Sequence, residues 1–570
     1  MEPLSLLAAR HHDAWEQLAE LANRLERERR APVEFEFELT KDHAWPTRVR
    51  NARMQPLAYV AAIHDLVRTG VMSPSEAVLA VTPEQVRACL TPTVVPTADG
   101  LLGVGLGVSP GAGSGRVVFS SDEASLVGGR CVLVVGDSRP EDFGARRHLA
   151  GVVALRGGAT SHAAVVAKGL GLPMIAGLRD AVLDSASEVL RIGGRAVSRL
   201  DVVTIDGSQG HLYTGSATVT DGSMTPALAE LIGWADQPRM IQVHANADSG
   251  EDVRTAKKLG ASGVGLCRLE HVLAAGGGTA QLRKVFAHKD PAARTRVVEE
   301  VTRLLTTLLT DVLLAADGVP VTVRLLDVPR HELVNGSVGE TDPTAGIGEV
   351  NPMMGTRGVR DFLINADLGV AQVAAIARSC RAVAELGLPT DVRILVPMVG
   401  FSEEFRRARQ VVEYVFEREA PGGRASPPAV GCMIEVPRIA LNAAELAADA
   451  DFLSIGSNDL TQFTLAVSRD DAEAGFLGSY VRDQVITVNP FECLDREGVG
   501  RILRICIDEA RGARPDLPIG LCGEHASDPA SVEYLVSLGL DSLSCSPRQV
   551  PLTRFSAGRA TLMQSMTSPD

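Results

Sequence analysis

From residue 240 to the C-terminus, short apolar runs alternate with stretches of helical periodicity, and this alternation constrains the fold more than any other feature. Strands separated by helices favour a parallel sheet with crossover helices. Eight such units over roughly 300 residues predict a closed (β/α)8 barrel, or TIM barrel, within residues 240–565. The predicted strands lie near residues 241–246, 263–268, 321–327, 394–399, 430–435, 452–456, 518–522 and 541–545.

Arginines stand where the predicted strands end, which is where the loops of such a barrel carry chemistry. Arg268 ends the second strand and Arg324 lies within the third. Arg357 lies in residues 351–360, which lack strand alternation and are predicted to form an ordered loop after the third strand. Three guanidinium groups at one mouth could bind a phosphate and a carboxylate through paired N–H donors. Structural ion pairs are the alternative for each arginine.

Carboxylates and a thiol follow three later strands. Glu435 ends the fifth strand and Asp459 follows the sixth, next to Asn458. Neighbouring carboxylates of this kind suit Mg²⁺, which prefers hard oxygen ligands, although capping of the following helices is the alternative. Cys522 ends the seventh strand, where a thiol could exchange a proton with a substrate. Packing as a small buried hydrophobic residue is the alternative for Cys522.

A second distinctive stretch, residues 157–173, combines glycines, a Thr-Ser-His triplet and small apolar residues. Thr160 can cap a helix, and Gly169 or Gly171 can end it. His162 is therefore predicted in the first helical turn, where unpaired N–H groups and the helix dipole favour an anion. A neutral imidazole there could act as a nucleophile and become a phosphohistidine. Simple packing at a helix start is the alternative for a single histidine.

The Thr-Ser-His string resembles the phosphohistidine signature of the phosphoenolpyruvate (PEP)-utilising enzymes, which include pyruvate phosphate dikinase, PEP synthase and Enzyme I of the sugar phosphotransferase system. The string is most similar to that of the dikinase, because PEP synthases usually have Cys where this chain has Ser161. The strings around Arg268, Arg357, Glu435 and Cys522 resemble the PEP-binding barrel of the dikinase. The resemblance implies an α/β protein with a swivelling phosphohistidine domain followed by the TIM barrel.

The resemblance also implies substrates and residue roles. PEP and pyruvate are the implied substrates, and a homodimer through the barrel is the implied assembly. The implied roles are catalytic for His162 and Cys522, substrate-binding for Arg268, Arg324, Arg357, Asn458 and Asp459, and Mg²⁺-binding for Glu435 and Asp459.

Linker-like stretches divide the chain before the barrel. Residues 1–100 are predicted to form a small, mostly helical segment that resembles the end of the dikinase nucleotide-binding domain, and residues 105–215 an α/β domain that presents His162. Residues 216–239 are predicted as a linker, and the glycine run 109–115 as turns rather than a phosphate loop.

The nucleotide site of the dikinase has no counterpart in the predicted domains. An ATP-grasp domain needs far more residues than precede the first linker. No Walker-type loop occurs in the sequence. The chain is therefore expected to depend on a separate ATP-binding protein or another phosphoryl acceptor, such as a phosphocarrier.

Composition excludes several classes of protein. The 570 residues carry a net charge of −14 without a Lys/Arg-rich stripe, which argues against a nucleic-acid partner. Nine cysteines occur singly, with no C-x-x-C pair, so neither a disulfide framework nor a zinc site is indicated. No apolar run is long enough to span a membrane and no signal peptide is recognisable, so a cytoplasmic protein without a membrane partner is expected.

Three functions are compatible with the sequence. The first is a dikinase-like phosphotransferase that interconverts PEP and pyruvate through a phosphohistidine. The second is an Enzyme I-type PEP-protein phosphotransferase, but that family inserts a helical subdomain into its phosphohistidine domain, for which residues 105–215 leave no room. The third is a PEP-sensing protein without turnover, and the presence of His162, Cys522 and the two carboxylates in one chain argues against it.

Overall fold

The structure is a computed structural model of the full chain. The chain divides into two compact units, Met1–Trp234 with Asp470–Thr487, and Ala235–Arg469 with Val488–Asp570. None of the described helices is both long and apolar enough to cross a membrane. The described residues are 12–39, 44–95, 100–127, 129–136, 148–157, 163, 167, 171–178, 180–184, 188–220, 222, 224–288, 290–329, 349, 351–420 and 427–567.

The first unit begins with a helix, a hairpin and three short helices. Two of these helices start with capping boxes, in which Ser73 and Thr82 accept from the amides of Glu76 and Gln85, whose side chains accept from the N-cap amides in return. The segment is mostly helical, as predicted. Its elements are α1 (His12–Arg29), β1 (Val33–Leu39), β2 (Ala44–Asn51), α2 (Pro56–Arg68), α3 (Pro74–Ala80) and α4 (Pro83–Leu90).

The rest of the first unit is built around an eight-stranded mixed sheet. The elements in chain order are β3 (Thr93–Val94), β4 (Leu101–Val104), β5 (Leu106–Ser109), β6 (Ala112–Val118), α5 (Ser121–Val127), β7 (Cys131–Val135), β8 (Leu149–Ala154), β9 (Met174–Ala176), β10 (Ala181–Asp184), β11 (Val189–Ile192), β12 (Arg195–Ser198), β13 (Val202–Asp206), β14 (His211–Thr214) and β15 (Val219–Thr220). The sheet has the order β4-β14-β13-β6-β7-β8-β9-β5, with β6 to β9 parallel, and β10, β11 and β12 form a separate sheet. Apolar residues of both faces of the central strands are buried in two clusters.

The prediction of turns over residues 109–115 is wrong, because most of this run lies in strand β6. A Cβ at Gly113 would collide with the carbonyl oxygen of Ala150 on β8, and one at Gly115 would lie 2.8 Å from the carbonyl oxygen of Arg130. The two glycines therefore permit close approach of neighbouring backbones within the sheet. A glycine run indicates turns only when no neighbouring strand requires the space.

The predicted helix of His162 lies in the connection between parallel strands β8 and β9. His162 itself, with residues 158–161, lies outside the described residues. Ala163 and Ala167 are described as helical and buried. Gly171 has a φ of 61°, the left-handed conformation common just after a helix, and the Leu172 amide donates to the Ala167 carbonyl at 2.9 Å.

Residues 216–239, predicted as a linker, contain regular structure. Strand β15 pairs with β3, and helix α6 (Pro226–Asp236) follows. The His64 ring stacks on Trp234 with centroids 5.6 Å apart, and its Nε2 lies 2.9 Å from Glu230 Oε2. Buried leucine and isoleucine at helical spacing explain why this segment folds, and they were not weighed in the prediction.

The second unit contains a closed barrel of eight parallel strands in chain order, which confirms the predicted TIM barrel. Its apolar core lies between the strands and the surrounding helices. The strands are β16 (Gln242–Asn246), β17 (Val264–Arg268), β18 (Pro320–Arg324), β19 (Asp391–Val396), β20 (Ala429–Ile434), β21 (Leu453–Gly456), β22 (Ile519–Cys522) and β23 (Ser542–Cys545).

The second unit contains most of the described helices after α6, and the segment Asp470–Thr487 of the first unit contains the remaining ones. In chain order, the helices are α7 (Gly250–Lys258), α8 (Leu269–Ala275), α9 (Thr279–Ala287), α10 (Pro291–Ala316), α11 (Val359–Ile364), α12 (Ala366–Glu385), α13 (Ser402–Glu419), α14 (Pro437–Ala440), α15 (Ala443–Ala447), α16 (Ser457–Leu465), α17 (Arg469–Ala474), α18 (Leu477–Arg482), α19 (Val499–Ala513), α20 (Pro529–Ser537) and α21 (Val550–Thr567).

Several predictions near the mouth need correction, and one is the fourth strand, which ends at Val396 rather than at residue 399. The third strand ends at Arg324 rather than at residue 327, so Leu325, Leu326 and Asp327 follow the strand. Residues 351–360 are ordered, as predicted, but contain a 3₁₀ turn and the start of α11. The earlier end of the third strand places the Asp327 carboxylate beyond the strand.

Candidate active site

Three carboxylates meet at the carboxyl ends of the barrel strands. Asp327 follows β18, Glu435 follows β20, and Asp459 lies in the first turn of α16, which follows β21. One oxygen of each lies within 4.8 Å of an oxygen of the others. Among the described residues, this is the one group of three or more potential ligands close enough to hold a metal ion. Their oxygen atoms are the ligands that Mg²⁺ and Ca²⁺ prefer.

Arg357 joins two of these carboxylates. Its Nε and Nη2 donate to the two oxygens of Asp327 at 2.7 and 2.6 Å, which is the bidentate geometry of strong charge-assisted pairs. Its Nη1 and Nη2 lie 3.4 and 3.2 Å from the oxygens of Asp459. Burial acts to raise the pKa of Asp327, but Arg357 more than offsets this effect and holds that pKa below its usual range. Asp327 is therefore ionised.

Glu435 is the most deeply buried acid of the cluster, with 1% of its surface exposed. Its Oε1 accepts from the Met398 amide at 2.6 Å. A Cβ at position 456 would lie 2.8 Å from its Oε2, so Gly456 leaves the space that the carboxylate occupies. Burial, followed by the charges of Asp459 and Asp327, raises the pKa of Glu435 to about 8. A bound cation would relieve this repulsion.

Arg324 ends β18 beside the same cluster. Its Nη2 donates to Glu270, and its Nη1 lies 3.6 Å from Asp327 Oδ2. Its Nε is buried without an acceptor among the described residues, and so is Glu270 Oε2 without a donor. Buried polar atoms of this kind are normally paired, so these two atoms indicate a site for water or a ligand.

Arg268 ends β17 and is held by Asp248. The Arg268 amide and Nη2 donate to the two oxygens of Asp248 at 2.8 and 2.6 Å. The Nε of Arg268 is also buried without an acceptor within the described residues. Arg268 and Arg324 thus each present an N–H donor that has no acceptor in the part of the chain that the structure describes.

Cys522 ends β22 inside the barrel, with 2% of its surface exposed. Its Sγ lies 3.6 Å from both Ser454 Oγ and the Ile455 carbonyl oxygen. Burial raises its pKa, and the Ser454 hydrogen bond and the charges of Arg324 and Arg268 offset this only in part. The thiol is therefore protonated at neutral pH and can donate a proton.

Asn458 and Gln462 connect the carboxylate cluster to the loop after Cys522. Asn458 Oδ1 accepts from the Glu524 amide at 3.2 Å. Gln462 Nε2 donates to Asp459 Oδ1 at 2.9 Å, which orients that carboxylate. Both residues lie on α16, so this helix contacts both the Asp459 carboxylate and the loop that follows Cys522.

The structure therefore brings most of the predicted site residues to one end of the barrel. Glu435, Asp459 and Arg357 belong to one contact network, Arg324 lies at its edge, and the charges of Arg324 and Glu435 reach Cys522. Arg268 joins through its electrostatic effect on Cys522 rather than through a contact with the cluster. His162 lies outside the described residues.

Three acids at this mouth were missed by sequence reasoning. Asp327, Glu270 and Asp248 each hold one of the predicted arginines. Asp327 was placed inside the third strand, and the other two lie within two residues of a strand end. An arginine at the end of a buried strand needs an acceptor, and this requirement is the signal that would have indicated them.

The arrangement can bind an anion and polarise it. Guanidinium N–H donors lie beside a carboxylate cluster suited to a divalent cation, and a protonated thiol lies within electrostatic reach. Such a site suits a substrate that carries phosphate and carboxylate groups and that needs a proton on carbon.

In a comparison with known proteins, two family models match the chain. A family model described as the PEP-binding domain of PEP-utilising enzymes matches residues 225–562. A second, described as the mobile domain of PEP-utilising enzymes, matches residues 127–210. The first covers the whole barrel and the second contains the Thr-Ser-His string.

Individual relatives that match nearly the whole of this chain indicate the same family. The chain is 34% identical to pyruvate, phosphate dikinase of Clostridium symbiosum over 98% of its own length and 67% of the relative. It is 34% identical to the chloroplastic enzyme of Mesembryanthemum crystallinum, with 98% of this chain and 61% of the relative covered. It is 33% identical to the enzyme of Entamoeba histolytica, with 96% and 65% covered. The chain thus spans about two thirds of the length of these relatives, and it belongs to the family of PEP-utilising enzymes.

Proposed function

We propose that the chain transfers a phosphoryl group between PEP and His162, with pyruvate as the other product. The observation that carries this proposal is the convergence of the Asp327, Glu435 and Asp459 carboxylates with Arg324 and Arg357 at one barrel mouth. The relatives at 33 to 34% identity are named pyruvate, phosphate dikinase, which supports the same substrates.

Mg²⁺ is the metal that we propose for the carboxylate cluster. Three carboxylates lie together against two arginines, and the pKa of Glu435 is raised first by burial and then by the negative charges of Asp459 and Asp327. Glu435 and Asp459 would hold the ion, as the sequence predicted, and we add Asp327 as a third acid in reach. When bound, Mg²⁺ would supply a positive charge that stabilises phosphate and enolate oxygens.

The arginines are proposed to bind the two anionic groups of PEP. Arg268 and Arg324 have buried Nε donors without acceptors among the described residues, so they are available to an oxyanion. Arg357 is held by Asp327 and Asp459, and it contributes positive charge to the site and fixes the positions of these two carboxylates. Asn458 keeps its amide nitrogen for the substrate, because its Oδ1 accepts from the Glu524 amide.

The proposed reaction has two steps. An imidazole nitrogen of His162 attacks the phosphorus of PEP, the bond from phosphorus to the enol oxygen breaks, and the electron pair stays on the resulting enolate. Cys522 then donates its proton to C3 of the enolate and forms pyruvate. In the reverse direction, the Cys522 thiolate removes the C3 proton and the enolate oxygen attacks the phosphohistidine.

The domain organisation is part of the proposal. Residues 105–215 would carry His162 as a phosphohistidine domain, and residues 240–565 would bind PEP and pyruvate. We propose that the phosphoryl group on His162 passes next to a separate ATP-binding protein or to a phosphocarrier. A homodimer through the barrel is also proposed on resemblance, and a mass of two chains in analytical ultracentrifugation would support it.

Metal affinity is expected to rise with pH up to about pH 8. The folded-state pKa of Glu435 is about 8, so below that pH the carboxyl is largely protonated and the metal must displace a proton. The affinity is therefore expected to fall about tenfold for each pH unit below 8. Calorimetry of Mg²⁺ binding in buffers of different ionisation enthalpy should show release of one proton at pH 7. A wild-type affinity independent of pH would contradict the assignment.

A burst of pyruvate tests the proposed function. The full chain, mixed with excess PEP and Mg²⁺ in the absence of an acceptor, is expected to form one pyruvate per chain and then stop. His162→Ala should bind PEP and form no pyruvate, because the acceptor atom is gone. PEP binding without a burst in the wild type would favour the sensing protein and contradict the proposal.

Added acceptors then distinguish the two enzyme functions. AMP with pyrophosphate, ADP, phosphate and cell extract would each be added after the burst. Renewed pyruvate formation with a protein fraction that binds ATP supports the dikinase-like function. Renewal with a protein fraction that becomes phosphorylated without nucleotide supports the Enzyme I type.

A further inference from the structure

Asp248 is a carboxylate at the barrel mouth to which the proposed reaction gives no role. It follows β16, and its Oδ1 accepts from the Arg268 amide at 2.8 Å while its Oδ2 accepts from Arg268 Nη2 at 2.6 Å. His271 Nδ1 lies 3.1 Å from the same Oδ2. An ionised carboxylate only accepts, so the imidazole N–H is the donor. One side chain thus holds the backbone and the guanidinium of Arg268 together with the His271 ring.

The bonds around Asp248 are shielded enough to be strong. The side chain of Asp248 is 15% exposed and that of Arg268 is 29% exposed. Burial acts to raise the pKa of Asp248, but the charge of Arg268 and the His271 hydrogen bond outweigh it and hold this pKa well below its usual range. Asp248 is ionised, and charge-assisted bonds to a fixed carboxylate restrict the rotamers of Arg268.

The same motif occurs at the opposite end of the barrel, where it serves stability. Asp541 accepts from the amide of Ile519 at the start of β22 and from Arg511 Nη2, at 2.7 and 3.0 Å. Asp451 likewise accepts from a strand amide near the start of β20 and from Arg409. Binding sites of this fold lie at the carboxyl ends of the strands, so these two pairs are structural.

Arg268 differs from these arginines in its remaining donors. Arg511 also donates to the Gly539 carbonyl at 2.8 Å, and Arg409 donates to the Asp449 carbonyl and to Glu413. Within the described residues, every hydrogen bond from the Arg268 side chain ends on Asp248. Its Nε is buried without an acceptor, as is that of Arg511, but only Arg268 faces the mouth beside Arg324. Its free donors are therefore available to a ligand.

The geometry points to Asp248 as a positioning residue that orients Arg268 toward an anionic group of PEP, an inference that rests on the proposed function. Asp248 occupies Nη2 and the backbone amide of Arg268, which leaves the buried Nε donor for the substrate. His271 completes the support by donating to the same carboxylate. Asp248 does not contact the substrate, so it acts entirely through Arg268.

A double-mutant cycle on PEP binding tests this role. PEP is titrated at a fixed Mg²⁺ concentration into full-length His162→Ala chains, which cannot transfer the phosphoryl group. Asp248→Asn is expected to raise the Kd for PEP by about 10 to 100 times, since it removes a charge-assisted bond. Arg268→Ala should raise Kd at least as much. The double variant should match Arg268→Ala alone, because Asp248 has nothing left to position.

Asp541→Asn is the matched control, because it makes the same change in the same motif away from the mouth. It should lower the thermal unfolding temperature and leave the Kd for PEP unchanged. If Asp248→Asn behaves like Asp541→Asn, or if its effect adds to that of Arg268→Ala, the positioning role is overturned. If Asp248→Asn does not fold, Arg268→Lys replaces it, and an unchanged Kd in that variant overturns the role, because a point charge cannot use the paired geometry.

The controls also separate this inference from the proposed function. If the His162→Ala chain binds no PEP at all, the proposed function fails and the role of Asp248 falls with it. If that chain binds PEP but the Asp248→Asn and Asp541→Asn chains bind it equally well, only the role of Asp248 fails.

Discussion

Replacing Glu435 with glutamine is expected to reduce the rate of pyruvate formation from PEP by about 1,000-fold, since the metal supplies several kcal/mol of transition-state stabilisation. Glu435 is 1% exposed and is the acid of the cluster whose pKa is raised to about 8. Glutamine keeps the shape and can still accept from the Met398 amide, but it removes one negative charge from the site. The loss would therefore come from the metal and not from the fold.

The metal dependence separates this explanation from a general disturbance of the barrel. Mn²⁺ binding, followed by electron paramagnetic resonance, should be lost in Glu435→Gln at concentrations that saturate the wild type. Glu419→Gln is the matched control, because the side chain of Glu419, on α13, is 14% exposed and paired with Arg378 of α12, and this change should leave both measurements unchanged. Wild-type turnover in Glu435→Gln would contradict the assignment of the carboxylate cluster.

Replacing Cys522 with alanine is expected to reduce exchange of the C3 protons of pyruvate by about 100-fold or more, the usual contribution of a positioned general acid or base. The thiol lies in the barrel interior and burial raises its pKa, so it carries a proton at neutral pH and can serve as the general acid toward an enolate. The exchange can be followed by NMR in D₂O with pyruvate and Mg²⁺. It needs no phosphoryl transfer, so it reports the barrel chemistry alone.

A second buried thiol provides the control for this prediction. Cys545 also ends a barrel strand, but it packs in the core between strands and helices and bonds to Thr553. Cys545→Ala should leave the exchange rate unchanged. Exchange at the wild-type rate in Cys522→Ala would show that another group moves the proton.

Much of the barrel could be predicted, because its strands are apolar runs that periodicity separates from helices. The ends of strands were less certain, because they depend on where the backbone stops pairing with its neighbours. Asp327 shows the consequence. It was predicted to lie within the third strand, but it lies three residues beyond the end of β18 and belongs to the carboxylate cluster. The glycines of β6 show another limit, since the space that they provide is set by strands distant in the sequence.

The site was predicted residue by residue but not as a network. Arg357, Glu435 and Asp459 were singled out from strand ends and resemblance, and the structure joins them. The partners Asp248 and Glu270 were missed, because their role follows from arginines that are adjacent only in the folded barrel. Pairing between charged groups on different strands is a tertiary property that local patterns do not encode.

The most direct measurement follows the phosphoryl group itself. The full chain is incubated with ³²P-labelled PEP and Mg²⁺, and the protein-bound label is tested for stability in acid and in base. One label per chain that is lost in acid, retained in base and absent from His162→Ala is the predicted result. Label that persists in His162→Ala, or no label on a wild-type chain that binds PEP, would contradict transfer to His162.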